Sequence, residues 1–289
     1  LLLANYSLVS VLADRDIFQV AASLRQDPAV ELVEPNGYYY VHFTPNDPYY
    51  SYQWHFPQIQ MPQAWDLTNG NGVTVAVVDT GVAYETYGGY VQAPDLANTT
   101  FVAGWDFVNN DSHPNDDQRH GTHVAGTIAQ STNNSIGVAG VAYGAKIMPV
   151  KVLDSSGTGT TQSVADGIVW AANNGAKVIN LSLGSSTPSS LLGDAVNYAY
   201  NNGVVVVASS GNDNAGSVSY PAAYTNAIAV GATRYDQTRA PYSNYGSALD
   251  LVAPGGDTTV DQNGDGYPDG VLQQTFATGN PTAFDYYFS

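Results

Sequence analysis

Three short stretches carry residue types suited to proton-transfer chemistry. The run Val75-Ala-Val-Val-Asp79-Thr-Gly81 ends an apolar strand in a carboxylate at a tight turn. A charge there is costly unless it is hydrogen-bonded or used, although an Asp at a strand end is as often an ordinary turn or capping residue. The run His120-Gly-Thr-His123-Val-Ala-Gly126-Thr-Ile-Ala129 sets a histidine at the threshold of a helix of small residues. A neutral imidazole at His120 can take a proton from a nucleophile while Asp79 fixes its tautomer. Zinc is the rival use of two histidines three apart, but a helical zinc site wants His-Glu-x-x-His, and residue 121 is Gly. His123 reads as a hydrogen-bonded structural histidine. In the third stretch, Val204-Val-Val-Val-Ala-Ser-Ser-Gly-Asn212, a buried strand runs through a glycine into a side-chain amide. That amide can donate to a developing oxyanion, and Asn after Gly is equally an everyday turn residue.

A fourth stretch speaks for a hard cation. Asp261-Gln-Asn263-Gly-Asp265-Gly266-Tyr267-Pro-Asp269 places oxygen-bearing residues at the first, third, fifth, seventh and ninth positions of an EF-hand-like calcium loop, with Gly at the sixth. Leu272 stands where such a loop carries its bidentate Glu. The competing reading is an acidic, solvated hairpin turn.

The elements that must position these residues follow from apolar patterning. Short β-branched runs at 73–78, 146–152, 178–183, 204–208 and 227–232 predict strands. Helical patterns at 121–129, 163–173 and 191–201 fall between them. Such alternation predicts an α/β fold, a parallel sheet with helices on both faces. Gly/Asn/Ser-rich stretches gather at the strand ends, where an open α/β sheet places its ligand crevice. Ahead of this lies a different region, in which Ile17, Val20, Ala21 and Leu24 share one helical face, Asp27-Pro28 ends the helix, and 29–33 reads as a strand. The segment Thr44-Pro-Asn-Asp-Pro-Tyr-Tyr50 reads as an extended linker. The expected domains are therefore 1–45 and 46–289.

Composition narrows the function classes. The 289 residues include 25 acidic against 8 basic side chains, a net charge of -17, with 44% apolar residues and no cysteine. An excess of carboxylates repels phosphate backbones and anionic headgroups, so nucleic acid and membrane surfaces are poor partners and divalent cations better ones. Without cysteine there are no disulfides, thiolate metal sites or cysteine nucleophiles. No apolar run approaches the roughly 20 residues of a membrane span. A nucleotide-binding domain is disfavoured, because no Gly-rich phosphate loop follows a strand. The start, Leu1-Leu2-Leu3, has neither an initiator Met nor a basic leader region, so the chain is expected to begin inside a longer product.

Together the Asp79, His120 and Asn212 motifs resemble those of a subtilisin-like serine protease, a subtilase of the thermitase-like branch. The resemblance runs from about residue 44 to the end. It includes Val152-Leu-Asp-Ser-Ser-Gly157-Thr-Gly159, Asn180-Leu-Ser-Leu-Gly184, Ser219-Tyr-Pro-Ala222, Ala227-Ile-Ala-Val-Gly-Ala232 and Tyr242-Ser-Asn-Tyr-Gly246. It implies that Asp79 orients the base, His120 is the general base and acid, and Asn212 is the oxyanion donor. It implies that Gly157, Thr158, Gly159 and Ser182, Leu183, Gly184 flank an extended peptide held by main-chain hydrogen bonds, with protein or peptide substrates and an apolar or aromatic preference before the cut. Calcium, stabilising rather than catalytic, is implied at Asp47, Asp95, Asn134, Ile136 and Val138, and again at Asp106, Asp111 and near His113. The first segment resembles the second half of the family's inhibitory propeptide, most clearly in Asp27-Pro-Ala-Val-Glu-Leu-Val-Glu-Pro35. A monomeric, secreted zymogen follows from the same resemblance, with self-cleavage between about Tyr38 and Asn46.

One family feature is not in the sequence. The nucleophile of such proteases is the serine of Gly-Thr-Ser-Met-Ala, which opens a buried helix, and no such run occurs here. Phe284-Asp-Tyr-Tyr-Phe-Ser289 aligns with the residues just before it. Neither Ser289 nor Ser209 or Ser210 matches the family position. The expectation is a fragment of an ordinary protease, inactive by itself because the nucleophile lies beyond Ser289, with apolar sheet surface uncovered where that helix would pack. The alternative is a nucleophile-free pseudoprotease that binds extended peptides.

Overall fold

The computed structural model of the chain describes residues 6–37 and 43–289. The chain divides into two compact units, residues 1–42 and 43–289. The expected cleavage window between Tyr38 and Asn46 lies partly outside the described residues.

The first unit contains α1 (Ile17–Leu24), whose amino end is capped by Asp16 accepting the Phe18 and Gln19 N–H groups. The strand expected over 29–33 does not form. Asp27 instead takes the Ala29 N–H on its side chain and the Val30 N–H on its carbonyl, and Leu32 is 58% exposed. β-branched residues favour a strand only where a partner strand receives them, and this segment has none among the described residues.

The second unit opens with two short helices, α2 (His55–Gln58) and α3 (Met61–Trp65), which bury Phe56, Met61 and Trp65 in a small satellite core. There follow β1 (Thr74–Asp79), β2 (Thr100–Phe101), β3 (Trp105–Asp106), α4 (His120–Ala129), β4 (Lys146–Lys151), α5 (Thr161–Asn173), β5 (Val178–Leu181), α6 (Ser190–Asn201), β6 (Val205–Ser209), β7 (Ala227–Thr233) and β8 (Leu251–Pro254). Residues β9 (Gly256–Asp257), β10 (Asp269–Gly270), β11 (Leu272–Phe276) and β12 (Phe284–Phe288) form two antiparallel hairpins.

The main sheet runs β2-β4-β1-β5-β6-β7-β8 with every pairing parallel. Alternation along β1 shows how both faces are covered. Ala76 and Val78 join the core built with Val164, Ile168, Ala195 and Val196 of α5 and α6. Val75 and Val77 join the core built with Ala125 and Ala129 of α4. Side chains two apart share a face and neighbours oppose, so this one strand sits between the helix pair and α4. All five predicted strands and all three predicted helices form, with ends shifted by one or two residues. Thr160 and Ser163 begin α5 with a reciprocal capping box. Among the described residues no helix is long and apolar enough to cross a membrane.

Candidate active site

The central strand delivers Asp79 to the carboxyl edge of the sheet, where its side chain is fully buried. Directly across the turn, His120 is the first residue of α4. Its Nδ1 lies 2.8 Å from Asp79 Oδ1, and its side chain remains 44% exposed. Asp79 Oδ1 also accepts the Thr80 N–H at 2.7 Å, while Oδ2 is buried without a hydrogen-bond partner. A carboxylate held this way favours Nδ1–H on His120, leaving Nε2 as the basic nitrogen on the open side. Burial lowers the His120 pKa, but the bond and charge of Asp79, together with the charge of Asp116, outweigh it and leave the imidazole above its ordinary value of 6.5.

A buried polar network fixes this pair, and the sequence reading missed it. Asp116 is 1% exposed. Its Oδ1 accepts from Thr80 Oγ1, Gln118 N–H and Arg119 N–H, and its Oδ2 accepts from Thr122 N–H and Thr122 Oγ1. One carboxylate thus ties the residue after Asp79 to the first turn of the helix that begins with His120. Arg119, just before the histidine, is held at φ 101, a strained value for a residue with a side chain. Lys151, the register partner of Asp79, is 1% exposed and gives its Nζ protons to Thr80 O, Asp117 Oδ1 and Leu153 O. The available sequence signal was an acidic residue four positions ahead of a helix-starting histidine, a capping pattern.

Gly121 is what lets the helix approach so closely. A Cβ there would lie 2.1 Å from Gly81 O and 3.2 Å from Asp79 Cβ. Gly121→Ala is therefore expected to destabilise the unit by about 1–3 kcal/mol through overpacking and to lower the His120 pKa as the imidazole leaves Asp79. Urea unfolding and an NMR titration of the imidazole read the two effects. An unchanged His120 titration would show that the close approach does not set the pair.

The other predicted residues fall around two adjoining cavities. A cleft of about 530 Å³ is lined by His120, Gly157, Thr158, Gly159, Ser182, Leu183 and Gly184, with Leu153, Val164 and Leu192 among its apolar lining residues. A trough of about 780 Å³ is lined by Asn212, Ser182, Val124, Ile128, Val230 and Ala253, among others. Ser182 borders both. Asn212 itself is exposed beyond the end of β6. Ser210 is buried and donates to Asn244 O. Among the described residues no serine or threonine hydroxyl bonds the His120 ring. His123 is committed elsewhere, with Nε2 3.1 Å from Val271 O and 3.2 Å from Tyr287 O. Both partners are acceptors, so Nε2 carries the proton, and burial lowers the pKa to about 4.

Of the predicted cation ligands, the structure gathers Asp47, Asp95 and Asn134. Asp47 accepts the Asn133 and Asn134 N–H groups, and Asp95 accepts from Asn134 Nδ2 and from Val138 N–H. Ile136 N–H is bonded to Asn134 Oδ1. Burial pushes the Asp95 carboxyl up to about 6 against these bonds, with the Asp47 charge adding to the rise. Asn134 turns its amide N–H to Asp95 and spends its Oδ1 on the Ile136 N–H, so the oxygens free to face a cation here are those of the Asp47 and Asp95 carboxylates. Asp106 and Asp111 are bridged through their backbones, but the Asp106 carboxylate is spent on Val108, Asn109 and the Asn109 amide. His113 lies with Nδ1 2.8 Å from Glu85 Oε1. Asp261, Asn263 and Asp265 share the loop between β9 and β10, and Asp269 begins β10. Among the described residues no three acidic or histidine side chains converge as a metal cluster.

Comparison with known proteins gives the family. The family model described as the Subtilase family matches residues 70–284. Thermitase of Thermoactinomyces vulgaris is 52% identical over 214 residues, 74% of this chain and 74% of that protein. The thermophilic serine proteinase of Bacillus sp. strain AK1 is 44% identical over 260 residues, 89% of this chain and 63% of that protein. Among solved structures, a protease of Pseudoalteromonas arctica PAMC 21717 superposes with a TM-score of 0.76 at 38% identity, covering 86% of this chain and 82% of that one. An α/β sheet with an Asp–His pair at its carboxyl edge defines the class, and the chain belongs to the subtilase family of serine proteases.

Proposed function

We propose that this chain is the larger part of a serine endopeptidase in which Asp79, His120 and a serine act as a triad and Asn212 donates to the oxyanion. The observation that carries the reading is the 2.8 Å contact between His120 Nδ1 and a fully buried Asp79 at the head of an open cleft. With Nδ1–H held by Asp79, His120 Nε2 takes the proton of the serine hydroxyl as Oγ attacks the peptide carbonyl. The Asn212 amide stabilises the resulting oxyanion, and the imidazolium returns its proton to the leaving amine. Water then repeats the sequence on the acyl-enzyme. The segments 157–159 and 182–184 flank the cleft and hold the substrate main chain.

In this reading the serine sits on a segment following Ser289, whose helix packs in the trough against Val124, Ile128, Val230 and Ala253. These apolar side chains line a cavity of about 780 Å³ that Ser289 also borders. Residues 1–45 act as part of an inhibitory propeptide. Leu8, Leu12, Phe18 and Leu32 are 58–78% exposed, an apolar surface suited to a partner. Calcium at Asp47, Asp95 and Asn134, with the carbonyls of Ile136 and Val138, would tie the start of the second unit to the loop after α4 and add stability by mass action. Secretion and a monomeric state go with the family resemblance and the acidic, cysteine-free composition.

A serine-directed phosphonate tests the function on the full-length gene product. It is expected to add covalently to one serine beyond residue 289 and to abolish protein hydrolysis. A product that takes up no phosphonate and cleaves nothing, while binding extended peptides, would instead be a pseudoprotease.

A further inference from the structure

We propose that residues 261–269 are a calcium-binding loop that clamps the β9–β10 hairpin. The ladder of that hairpin is only two residue pairs long, Asp257 with Asp269 and Gly256 with Gly270. The loop between the strands must therefore be held by its own contacts. Asp261 takes the Gly264 N–H on Oδ1 and the Gly266 N–H on Oδ2, and Asp265 Oδ1 takes the Tyr267 N–H. Gly264 and Gly266 have φ of 75 and 90, values that glycine adopts without a Cβ penalty.

The observation that points to a ligand is at the ninth position. Asp269 is fully buried. Its Oδ2 accepts the Gln262 N–H, which aims the carboxylate at the loop, while Oδ1 is buried with no hydrogen-bond partner. A buried acceptor left unmatched is costly, more so when it carries charge. Gln262 repeats the pattern. Its Nε2 donates to Asp236 Oδ2 at 2.8 Å, which fixes the amide orientation, and its Oε1 is buried without a donor. The Gln262 side chain turns to Asp236, outside the ligand set, so the pointer is Asp269 Oδ1: a buried carboxylate oxygen without a donor on an acidic loop calls for a cation.

The remaining ligands would turn onto the ion from bonds within the loop, where Asn263 Oδ1 accepts the Asp265 N–H and Asn263 Nδ2 donates to Asp265 Oδ2. A carboxylate oxygen accepting one N–H keeps a lone pair for a metal. Asp261, Asn263, Asp265 and Asp269 side chains with the Tyr267 carbonyl supply five oxygens, and water completes the shell. Leu272 in place of the bidentate Glu sets the affinity at the weak end, a dissociation constant of about 10⁻⁴–10⁻³ M. Gly255, Gly256, Asp257, Thr258 and Thr259 wall the trough, so the ion would fix that wall. This consequence rests on the protease reading, whereas the binding does not.

Terbium luminescence on the full-chain protein tests it, because Tyr267 within the loop serves as the sensitiser. We expect tyrosine-sensitised emission that calcium displaces. The component lost in Tyr267→Phe should need at least tenfold more terbium in Asp261→Asn and in Asp265→Asn, two exposed positions whose variants retain the far-ultraviolet circular dichroism of the parent. Emission unchanged by Tyr267→Phe, or titrations superimposable across the two aspartate variants, would overturn the proposal and leave water as the partner of Asp269 Oδ1. Neither readout involves proteolysis, so a failure here is distinct from a failure of the protease reading.

Discussion

Asp79→Asn is expected to lower kcat/KM for a peptide substrate by about 10⁴ in the protein carrying its nucleophile, the scale seen when the carboxylate of such a triad is removed. The side chain keeps its size, so the fold should survive. What changes is the partner of His120 Nδ1. An amide can present N–H where the carboxylate presented an oxygen, which turns the imidazole toward the wrong tautomer and removes the charge that stabilises imidazolium. The same change alters the pH profile. In the parent protein Asp79 and Asp116 hold the His120 pKa above 6.5 against the effect of burial. In the proposed mechanism His120 accepts a proton only when neutral, so activity is expected to rise as pH climbs through that raised pKa. With Asp79 neutral, the acid limb should move to lower pH while the plateau falls. Folding responds with the opposite sense. A raised histidine pKa contributes stability below about 6.5, and this is lost as pH rises through the folded value. Asp79→Asn should flatten that part of the stability curve. Rates and an NMR titration of His120 measure these effects, and a pKa unchanged by the substitution would contradict the assigned pairing.

The sequence made some of this legible and hid the rest for physical reasons. Strand β1, buried from Val75 to Asp79, is a nearly unbroken apolar run, and 204–208 reads the same way. Helices α4, α5 and α6 announce themselves through period and small residues. By contrast β8 runs along the sheet margin with Leu251 and Val252 about half exposed. Its four residues, Leu251 to Pro254, are apolar but too few before a proline to mark a strand, and the hairpin of β11 and β12 buries polar Gln273, Gln274 and Thr275, which breaks its apolar pattern. At the site, Asp79 and His120 stood out because each ends or begins an element with chemistry-bearing atoms. Asp116 did not, since its role comes from tertiary contacts with Thr80 and Thr122 that local spacing does not encode.

That hidden residue should matter nearly as much as the visible pair. Asp116→Ala leaves five donors without their acceptor: Thr80 Oγ1, the Gln118, Arg119 and Thr122 N–H groups, and Thr122 Oγ1. At 1–3 kcal/mol for each donor that water cannot reach, partly recovered by relaxation, the expected loss is on the order of 3–5 kcal/mol of unfolding free energy. The strained turn at Arg119 loses two of its restraints, so His120 should drift from Asp79 and kcat should fall more than KM changes. Asp116→Asn separates position from charge. It keeps an oxygen for part of the network but removes the negative charge that helps raise the His120 pKa. Its acid limb should therefore shift to lower pH with a smaller loss of kcat than in Asp116→Ala. A purely positional role would leave the His120 titration of Asp116→Asn, which keeps an oxygen in the network, where it was in the parent. Urea unfolding with the imidazole titration of that variant decides between them, because there the lost charge of Asp116 moves the titration while the contact with Asp79 stays.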